Sequence, residues 1–125
     1  MNPDSIERLK NRFKIWAVET IKFARNLPRD EEYMILRKQM IRSASGGAAN
    51  YRAACRSKSD RDFINKLKIV EEEIDETMFW IEMIDMLRDE ERYKNESVYR
   101  EANELLSITI ASIITTRKRL ARLPS

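Results

Sequence analysis

The scarcity of turn-forming residues is the feature that most restricts the fold of this chain. Its 125 residues include only two glycines and three prolines, against 42% apolar and 36% charged residues. An all-β chain of this length needs many turns built on glycine or proline, so the composition favours long helices joined by short loops. The length suits one compact domain, residues 1–125, with one hydrophobic core.

Apolar side chains recur at steps of three and four residues in four segments of the chain. This is the period of an amphipathic helix. The spacing predicts helices over residues of about 5–26, 31–56, 60–88 and 96–121.

Start and stop signals separate these segments. The run 27–30 ends the first helix, and Asp30 is positioned to cap the second. Ser59, with Asp62 three residues later, resembles a capping box that begins the third helix, and polar residues 88–95 form the last connection. Because the loops are short, neighbouring helices should be antiparallel. The predicted fold class is all-α, an antiparallel up-down four-helix bundle.

The two glycines are adjacent, Gly46 and Gly47, within a run of small residues at 43–50. Glycine costs about 1 kcal/mol relative to alanine inside a helix, so such a run indicates that a neighbour approaches the backbone closely. A kink of the second helix at this point is a further expectation. The predicted helix or subunit contacts are Ser43, Gly46, Gly47, Ala48 and, on an apolar helix face, Trp80.

The absence of histidine removes most catalytic sites from consideration. It eliminates the commonest general base, a common metal ligand and any Ser-His-Asp triad. Cys55 is the only cysteine, so neither an internal disulfide nor a cysteine zinc site is possible. The carboxylates of residues 71–76 are spread around their helix, which favours a solvated or ion-paired face over a metal site. We expect a protein that is not an enzyme and has no cofactor.

Charge is distributed unevenly along the chain. The net charge is +3, yet residues 31–70 carry nine basic and four acidic side chains, and residues 71–104 carry four and thirteen. The basic residues flank the small-residue run, and Tyr51 is positioned to stack on a base. Clustered cations of this kind favour phosphate binding. The candidate nucleic-acid-binding residues are Arg37, Lys38, Arg42, Asn50, Arg52, Arg56, Lys58 and Arg61.

One alternative to phosphate binding remains open for these cations: they can form solvated helix faces with ion pairs inside each helix. The basic residues at 117–122 are expected to complement a helix dipole rather than to make a dedicated contact. The chain has no uncharged run of 18 residues and no apolar segment resembling a secretory signal, so the expected location is cytoplasmic.

The run Leu36–Asn50 contains Gln-x-x-Arg-Ser-Ala-x-Gly-x-x-Ala-Asn. It resembles the signature of the four helix bundle protein family, also called the 23S rRNA intervening-sequence protein family. Residues 13–16, 59–63 and 72–82 are similar to that family as well, so the resemblance covers about 13–120. After Asn50 the family continues Ile-Ala-Glu-Gly, where this chain reads Tyr-Arg-Ala-Ala.

The resemblance implies an antiparallel four-helix bundle that assembles as a homopentamer with a basic face or central channel. Relatives are encoded within rRNA intervening sequences. Others are accessory proteins of diversity-generating retroelements, which bind nucleic acid and a reverse transcriptase.

Two functional hypotheses follow from the residues and the resemblance together. The first is a non-enzymatic homo-oligomer that binds RNA or DNA through basic residues of the first two helices and the following turn. The second is a protein-interaction adaptor, such as an accessory subunit of a retroelement reverse transcriptase. A helical nuclease of the type that uses an Arg-x4-6-His motif is disfavoured, because the chain has no histidine.

Overall fold

The computed structural model describes residues 2–89 and 96–124, which form an all-α structure. The helices of this described part are α1 (Pro3–Arg25), α2 (Glu31–Ala54), α3 (Asp60–Leu87) and α4 (Ser97–Ala121). Each predicted helix is present, and no end differs from its predicted position by more than two residues. Most of the connection predicted at 88–95 lies outside the described residues.

The helices follow one another around an antiparallel bundle, in which α1 also touches α4. In each adjacent pair, residue numbers rise along one helix as the numbers of their partners fall along the other. The contacts that show this are Phe13–Tyr51 and Ala24–Arg37 for α1 and α2, Ser43–Thr77 and Gly47–Ile74 for α2 and α3, Glu82–Tyr99 and Asp60–Arg119 for α3 and α4, and Arg12–Glu101 and Trp16–Val98 for α1 and α4. The predicted antiparallel four-helix bundle is therefore confirmed.

Side-chain caps are present at two of the helix starts. The Asn2 Oδ1 atom accepts a hydrogen bond from the backbone N–H of Ser5 at 2.8 Å. The Ser59 Oγ atom accepts one from the N–H of Asp62 at 3.1 Å, as the sequence predicted. Asp30 occupies the N-cap position of α2, but its side chain makes no capping hydrogen bond. Asp30 therefore occupies the predicted N-cap position, but its side chain does not cap the helix.

The core consists of two clusters of buried apolar side chains, one in each half of the bundle. The larger cluster comprises Leu9, Phe13, Trp16, Ala44, Tyr51, Ala54, Ile64, Leu67, Val70, Ile74, Met78, Ala102, Leu105 and Ile113. The smaller cluster comprises Ala24, Leu27, Tyr33, Leu36, Met40, Ile81, Ile84 and Val98. Burial of these side chains is the main source of the bundle's stability.

Four buried threonines lie among these apolar residues. They are Thr20, Thr77, Thr109 and Thr116. Each hydroxyl donates to the carbonyl oxygen four residues earlier in its own helix, at 2.7 to 2.9 Å. This local bond satisfies the buried hydroxyl, so a threonine can occupy a position that the apolar period assigns to the core.

The two glycines lie where α2 approaches both α1 and α3. A Cβ atom on Gly47 would lie 3.5 Å from the Cβ of Glu73 and 3.5 Å from the Trp16 ring, and one on Gly46 would clash with the Glu73 carboxylate. The helix continues through both as one uninterrupted α-helix, and neither has a positive φ. The small residues therefore serve close packing within the bundle.

The other predicted contact residues of α2 face in two directions. Ser43 is fully buried, and its hydroxyl lies 2.7 Å from the hydroxyl of Thr77 on α3. Ala48 is half-buried and lies on the side of α2 that faces α1. Trp80, on α3, is half-buried against the smaller core cluster, and its indole N–H donates to Glu76 at 3.1 Å.

Candidate nucleic-acid interface

A surface groove of about 920 Å³ runs between α1 and α2, and we call it the α1–α2 groove. Its uncharged lining consists of Asn11, Ala17, Val18, Ile21, Ser45, Ala48 and Ala49. Its charged lining consists of the basic residues Arg8, Lys10, Lys14, Arg52 and Arg56 and the single acidic residue Glu7. Five cations thus surround a floor of mostly small and apolar side chains.

Helical spacing explains why these residues form a groove. Residues three or four apart in a helix lie on the same face. On α2, the small side chains of Ser45, Ala48 and Ala49 are followed at this spacing by Arg52 and then Arg56. The short side chains leave a depression, and the arginines continue along the same face. On α1, Lys10 and Lys14 are likewise one turn apart.

The cations of the two helices share one electrostatic environment. Glu7 pairs with Lys10 at 2.6 Å. Lys10 is the main cause of a lowered pKa at Glu7, and Lys14 and Arg52 add to the effect through their charges. An α2 arginine therefore acts on the same carboxylate as two α1 lysines.

Four of the groove cations have no acidic partner among the described residues, and one of these, Arg8, donates to the Ser5 hydroxyl at 3.3 Å. Within residues 2–89 and 96–124, no carboxylate oxygen lies within 4 Å of the charged nitrogens of Lys14, Arg52 or Arg56. A cation already held by a carboxylate must break that pair before it binds another anion. Lys14, Arg52 and Arg56 are available to an incoming anion without that cost.

Two predicted site residues are engaged elsewhere in the bundle. Arg37 donates from Nε to the carbonyl of Ala24 at 2.9 Å, and from Nη2 to the carbonyls of Leu27 and Pro28 at 3.0 and 2.9 Å. These bonds hold the turn between α1 and α2. Arg37 is therefore not grouped with the groove cations.

Arg42 links α2 to α3 by pairing with Glu76 and, at 3.5 Å, with Glu73. Glu76 is the main cause of the raised pKa of Arg42. Arg42 is 52% exposed, yet its charge is balanced by two carboxylates of the acidic helix. The basic residues that flank the small-residue run in the sequence therefore lie on different surfaces of the bundle.

The remaining predicted residues lie at several places. The Asn50 side chain donates to the carbonyl of Gly46 at 2.8 Å within its own helix. Lys38 is exposed on α2 outside the groove lining. Lys58 and Arg61 are exposed at the α2–α3 turn. Of the eight predicted nucleic-acid-binding residues, only Arg52 and Arg56 line the α1–α2 groove.

The expectation that Tyr51 is available for stacking on a base is wrong. Tyr51 is 4% exposed, and its ring stacks on that of Phe13 with centroids 4.3 Å apart and an interplanar angle of 11°. Burial raises the pKa of its phenol. The ring of Tyr51 is part of the core. The basic residues around Tyr51 in the sequence did not indicate that it is buried.

The sequence-based hypothesis included basic residues of the first helix but did not name any of them individually. Arg8, Lys10 and Lys14 supply three of the five groove cations. The available signal was the one-turn spacing of Lys10 and Lys14 on the polar side of an amphipathic helix. Such spacing is common on solvated helices. It indicates a binding surface only when α2 is known to pack beside α1.

A second cavity, of about 620 Å³, lies at the end of the bundle where the α2–α3 turn meets α4. Cys55 lines it, and burial raises the pKa of the Cys55 thiol. Arg119 crosses its edge to pair with Asp60, with N–O distances of 2.9 and 3.0 Å. Lys58 is a further cation in its lining.

Within the described residues, no cluster of histidine, cysteine, aspartate and glutamate side chains is suited to hold a metal ion. None of the four described helices combines the length and the apolar character needed to cross a bilayer.

Comparison with known proteins identifies the family. Residues 10–111 match the model of the 23S rRNA-intervening sequence protein family. A crystal structure of a protein of unknown function, from the S23 ribosomal protein family of Bacteroides thetaiotaomicron VPI-5482, is similar with a TM-score of 0.75 and 30% sequence identity. The similarity covers 84% of this chain and 97% of that one. A search of curated proteins gave no match. The chain therefore belongs to the 23S rRNA-intervening sequence protein family.

Proposed function

We propose that this protein is a cytoplasmic, non-enzymatic homo-oligomer that binds RNA or DNA through the α1–α2 groove. The observation that supports this most directly is the lining of that groove, which contains five cations and one carboxylate. Cations that neutralise phosphates release condensed counterions, which favours binding at moderate salt. The unpaired Lys14, Arg52 and Arg56 are the residues expected to contribute most.

The charge distribution of the bundle supports the same proposal. Residues 31–70, which contain α2, the α2–α3 turn and the start of α3, carry nine basic and four acidic side chains, a formal charge of +5 in a chain whose total is +3. Such an asymmetry attracts a polyanion toward this part of the molecule before contact.

A catalytic role has little chemical support in this groove. The chain has no histidine, and the one carboxylate in the groove, Glu7, is paired with Lys10 and has a lowered pKa. A general base with a lowered pKa is weak, because efficient proton transfer requires a pKa close to the working pH. Binding without chemistry is the function that these residues suit.

Exposed apolar side chains on α3 support the oligomeric part of the proposal. Phe79, Met86 and Leu87 are 51%, 76% and 51% exposed. Phe79 contacts the half-buried Trp80 edge to face, with ring centroids 5.1 Å apart. We call these four residues the α3 apolar surface. An apolar surface of this kind is a typical contact between subunits, and a homopentamer, the assembly implied by the family resemblance, would present the groove five times.

Paired substitutions test the groove directly. Arg52→Gln with Arg56→Gln removes two unpaired groove cations. Arg117→Gln with Lys118→Gln removes the same charge from exposed positions on α4 and is the matched control. We expect the groove pair to weaken binding to a fluorescent nucleic acid at least tenfold at about 100 mM salt, and the α4 pair to weaken it less than threefold. Equal losses would show that binding is not confined to the groove, and no binding by the wild type at about 50 mM salt would refute the proposal.

The adaptor hypothesis is the second candidate, and the same α3 apolar surface favours it. An exposed apolar surface beside acidic residues such as Glu72 and Asp75 suits a protein partner as well as another copy of the chain. A reverse transcriptase encoded nearby is the partner to test. Co-expression with the products of neighbouring genes, followed by co-purification, distinguishes this role from self-association.

A further inference from the structure

The dimensions of the α1–α2 groove match the backbone of a nucleic-acid duplex. Its lining extends from Glu7 to Ile21 on α1 and from Ser45 to Arg56 on α2. At 1.5 Å per residue these lengths are about 21 Å and about 16 Å. Successive phosphates of one strand rise about 3.4 Å along the duplex axis and, because the strand also winds around that axis, lie roughly 7 Å apart. The groove is therefore long enough for about three or four successive phosphates of one strand, to which its cations can bind.

No aromatic side chain lines this groove in the described part of the chain. The aromatic rings nearest to it along α1 and α2 belong to the core: Phe13 and Tyr51 stack on each other, and Trp16 is 1% exposed. Proteins that bind single strands gain much of their affinity by stacking unpaired bases on exposed aromatic rings. This groove offers cations without such a platform, so unpaired bases have no aromatic ring to stack on within it.

The groove also has few groups that read base edges. Asn11 is the one side-chain amide in its lining, and Ser45 is the one hydroxyl. The Ser45 hydroxyl donates to the carbonyl of Ile41 in its own helix at 2.6 Å. Reading a base sequence requires several donors and acceptors directed at base edges. The other polar groups in the groove are charged side chains suited to phosphates.

We infer that the α1–α2 groove binds the phosphate backbone of duplex nucleic acid, independently of base sequence and in preference to single strands. This inference rests on the proposed function and specifies its ligand. DNA and RNA duplexes share the phosphate chemistry that the groove recognises, and the experiment below separates them.

Fluorescence anisotropy with the full chain tests the inference. The probes are DNA and RNA duplexes of roughly 20 base pairs, in two unrelated sequences, and the matching single strands, at salt concentrations from about 50 to 200 mM. We expect each duplex to bind at least tenfold more tightly than its strands, and the two sequences to differ less than threefold. The difference between DNA and RNA duplexes shows which sugar the groove prefers.

The salt dependence of binding measures how many phosphates the groove cations neutralise. Log affinity decreases as log salt rises, and the steepness of this decrease is reduced by about 0.9 for each phosphate of a B-form duplex that the protein ceases to neutralise. Arg52→Gln with Arg56→Gln should therefore reduce the slope by about 2, and Arg117→Gln with Lys118→Gln should leave it unchanged. A slope that is unchanged in the groove variant would show that phosphates bind elsewhere on the protein.

The possible failures are distinguishable. If no nucleic acid binds near 50 mM salt, the proposed function fails and the inference with it. If single strands bind as tightly as duplexes, nucleic-acid binding stands and the duplex inference fails. If polyglutamate competes as well as a duplex at equal charge, the groove accepts any polyanion, including acidic proteins, and the duplex inference also fails.

Adding an aromatic ring to the groove tests whether the lack of one limits its affinity for single strands. Ala49 is exposed on the groove floor, so Ala49→Tyr places an aromatic ring there, and Ala49→Leu adds bulk without one. The tyrosine variant should raise single-strand affinity at least fivefold relative to the leucine variant. Equal single-strand affinities for the two variants would contradict the stacking argument.

Discussion

At the scale of single residues, arginines of one helix have different roles because their neighbours differ. Arg37 holds the α1–α2 turn by bonds to three carbonyls, and Arg42 pairs with two carboxylates of α3. Arg52 and Arg56, one and two turns past the small residues, have no acidic partner among the described residues and line the groove. The sequence makes these four arginines look equivalent, and only their surroundings distinguish them.

The space around Gly47 yields a stability prediction. A methyl group there would contact Trp16 and Glu73 at 3.5 Å, an ordinary van der Waals distance. Gly47→Ala should therefore stabilise the protein by up to about 1 kcal/mol through helix propensity. Gly47→Leu should destabilise it by about 1–3 kcal/mol, because the larger side chain would overpack the core. Urea unfolding of the two variants measures both effects, and a destabilising alanine would show that the site tolerates no side chain.

The buried phenol of Tyr51 predicts a loss of stability at high pH. Desolvation raises its pKa in the folded protein above the value in the unfolded chain. The unfolded state therefore loses this proton first, so stability is retained below about pH 10 and falls as the pH rises beyond it. Tyr51→Phe should reduce this alkaline loss. Unfolding curves from about pH 8 to 11 compare the two proteins, and parallel curves would contradict the prediction.

At the scale of elements, the contact between α1 and α4 depends on a few polar side chains. Arg12 donates two hydrogen bonds to Glu101, at 2.7 and 2.8 Å, and pairs with Glu104 at 2.7 Å. The Trp16 indole N–H donates to the carbonyl of Val98 at 3.0 Å in the buried interior. These bonds join the first helix to the last and close the bundle.

The two acidic partners of Arg12 should contribute unequally to stability. Glu101 is 29% exposed and accepts two bonds, and Glu104 is 63% exposed and accepts one. Glu101→Gln should lower the free energy of unfolding by about 1–2 kcal/mol. Glu104→Gln should lower it by less than about 1 kcal/mol, because exposed pairs contribute little. Chemical denaturation measures both, and equal losses would show that burial does not decide the contribution.

At the scale of the whole molecule, the two candidate binding surfaces lie on different helices. The groove cations lie between α1 and α2, and the α3 apolar surface lies on another helix. In the proposed oligomer, contacts through the α3 apolar surface would leave the groove exposed. This separation is compatible with an oligomer that presents several phosphate-binding surfaces at once.

Light scattering coupled to size exclusion tests the proposed assembly. A pentamer of the 14.9 kDa chain would have a mass of about 75 kDa. Phe79→Ser with Met86→Ser should shift the mass toward that of one chain while helical content is retained, because the contact would lose its apolar area. Leu123→Ser, at an exposed residue just after α4, is the control and should leave the mass unchanged. A monomeric wild type would refute self-association and favour the adaptor role.

The fold was largely predictable from the sequence, and the candidate site was predictable only in part. The positions of the helices follow from local spacing and capping residues such as Ser59. Arg52 and Arg56 were found because they belong to the basic residues that flank the small-residue run in the sequence. Lys14 was not found, because its importance depends on which helix packs beside it. Tyr51 was misassigned, because an aromatic ring in a basic segment can face either the core or the solvent.

Local sequence is enough to show that this chain forms four long helices and, apart from Tyr51, which side chains form most of the core. Both properties depend on interactions between residues close in the chain, through the helical period, caps and loop length. The tertiary structure alone decided that the cations of α1 meet Arg52 and Arg56 across a groove, and that Arg42 is paired with α3 instead. Those residues lie far apart in the chain, and their distances are set by the packing of whole helices.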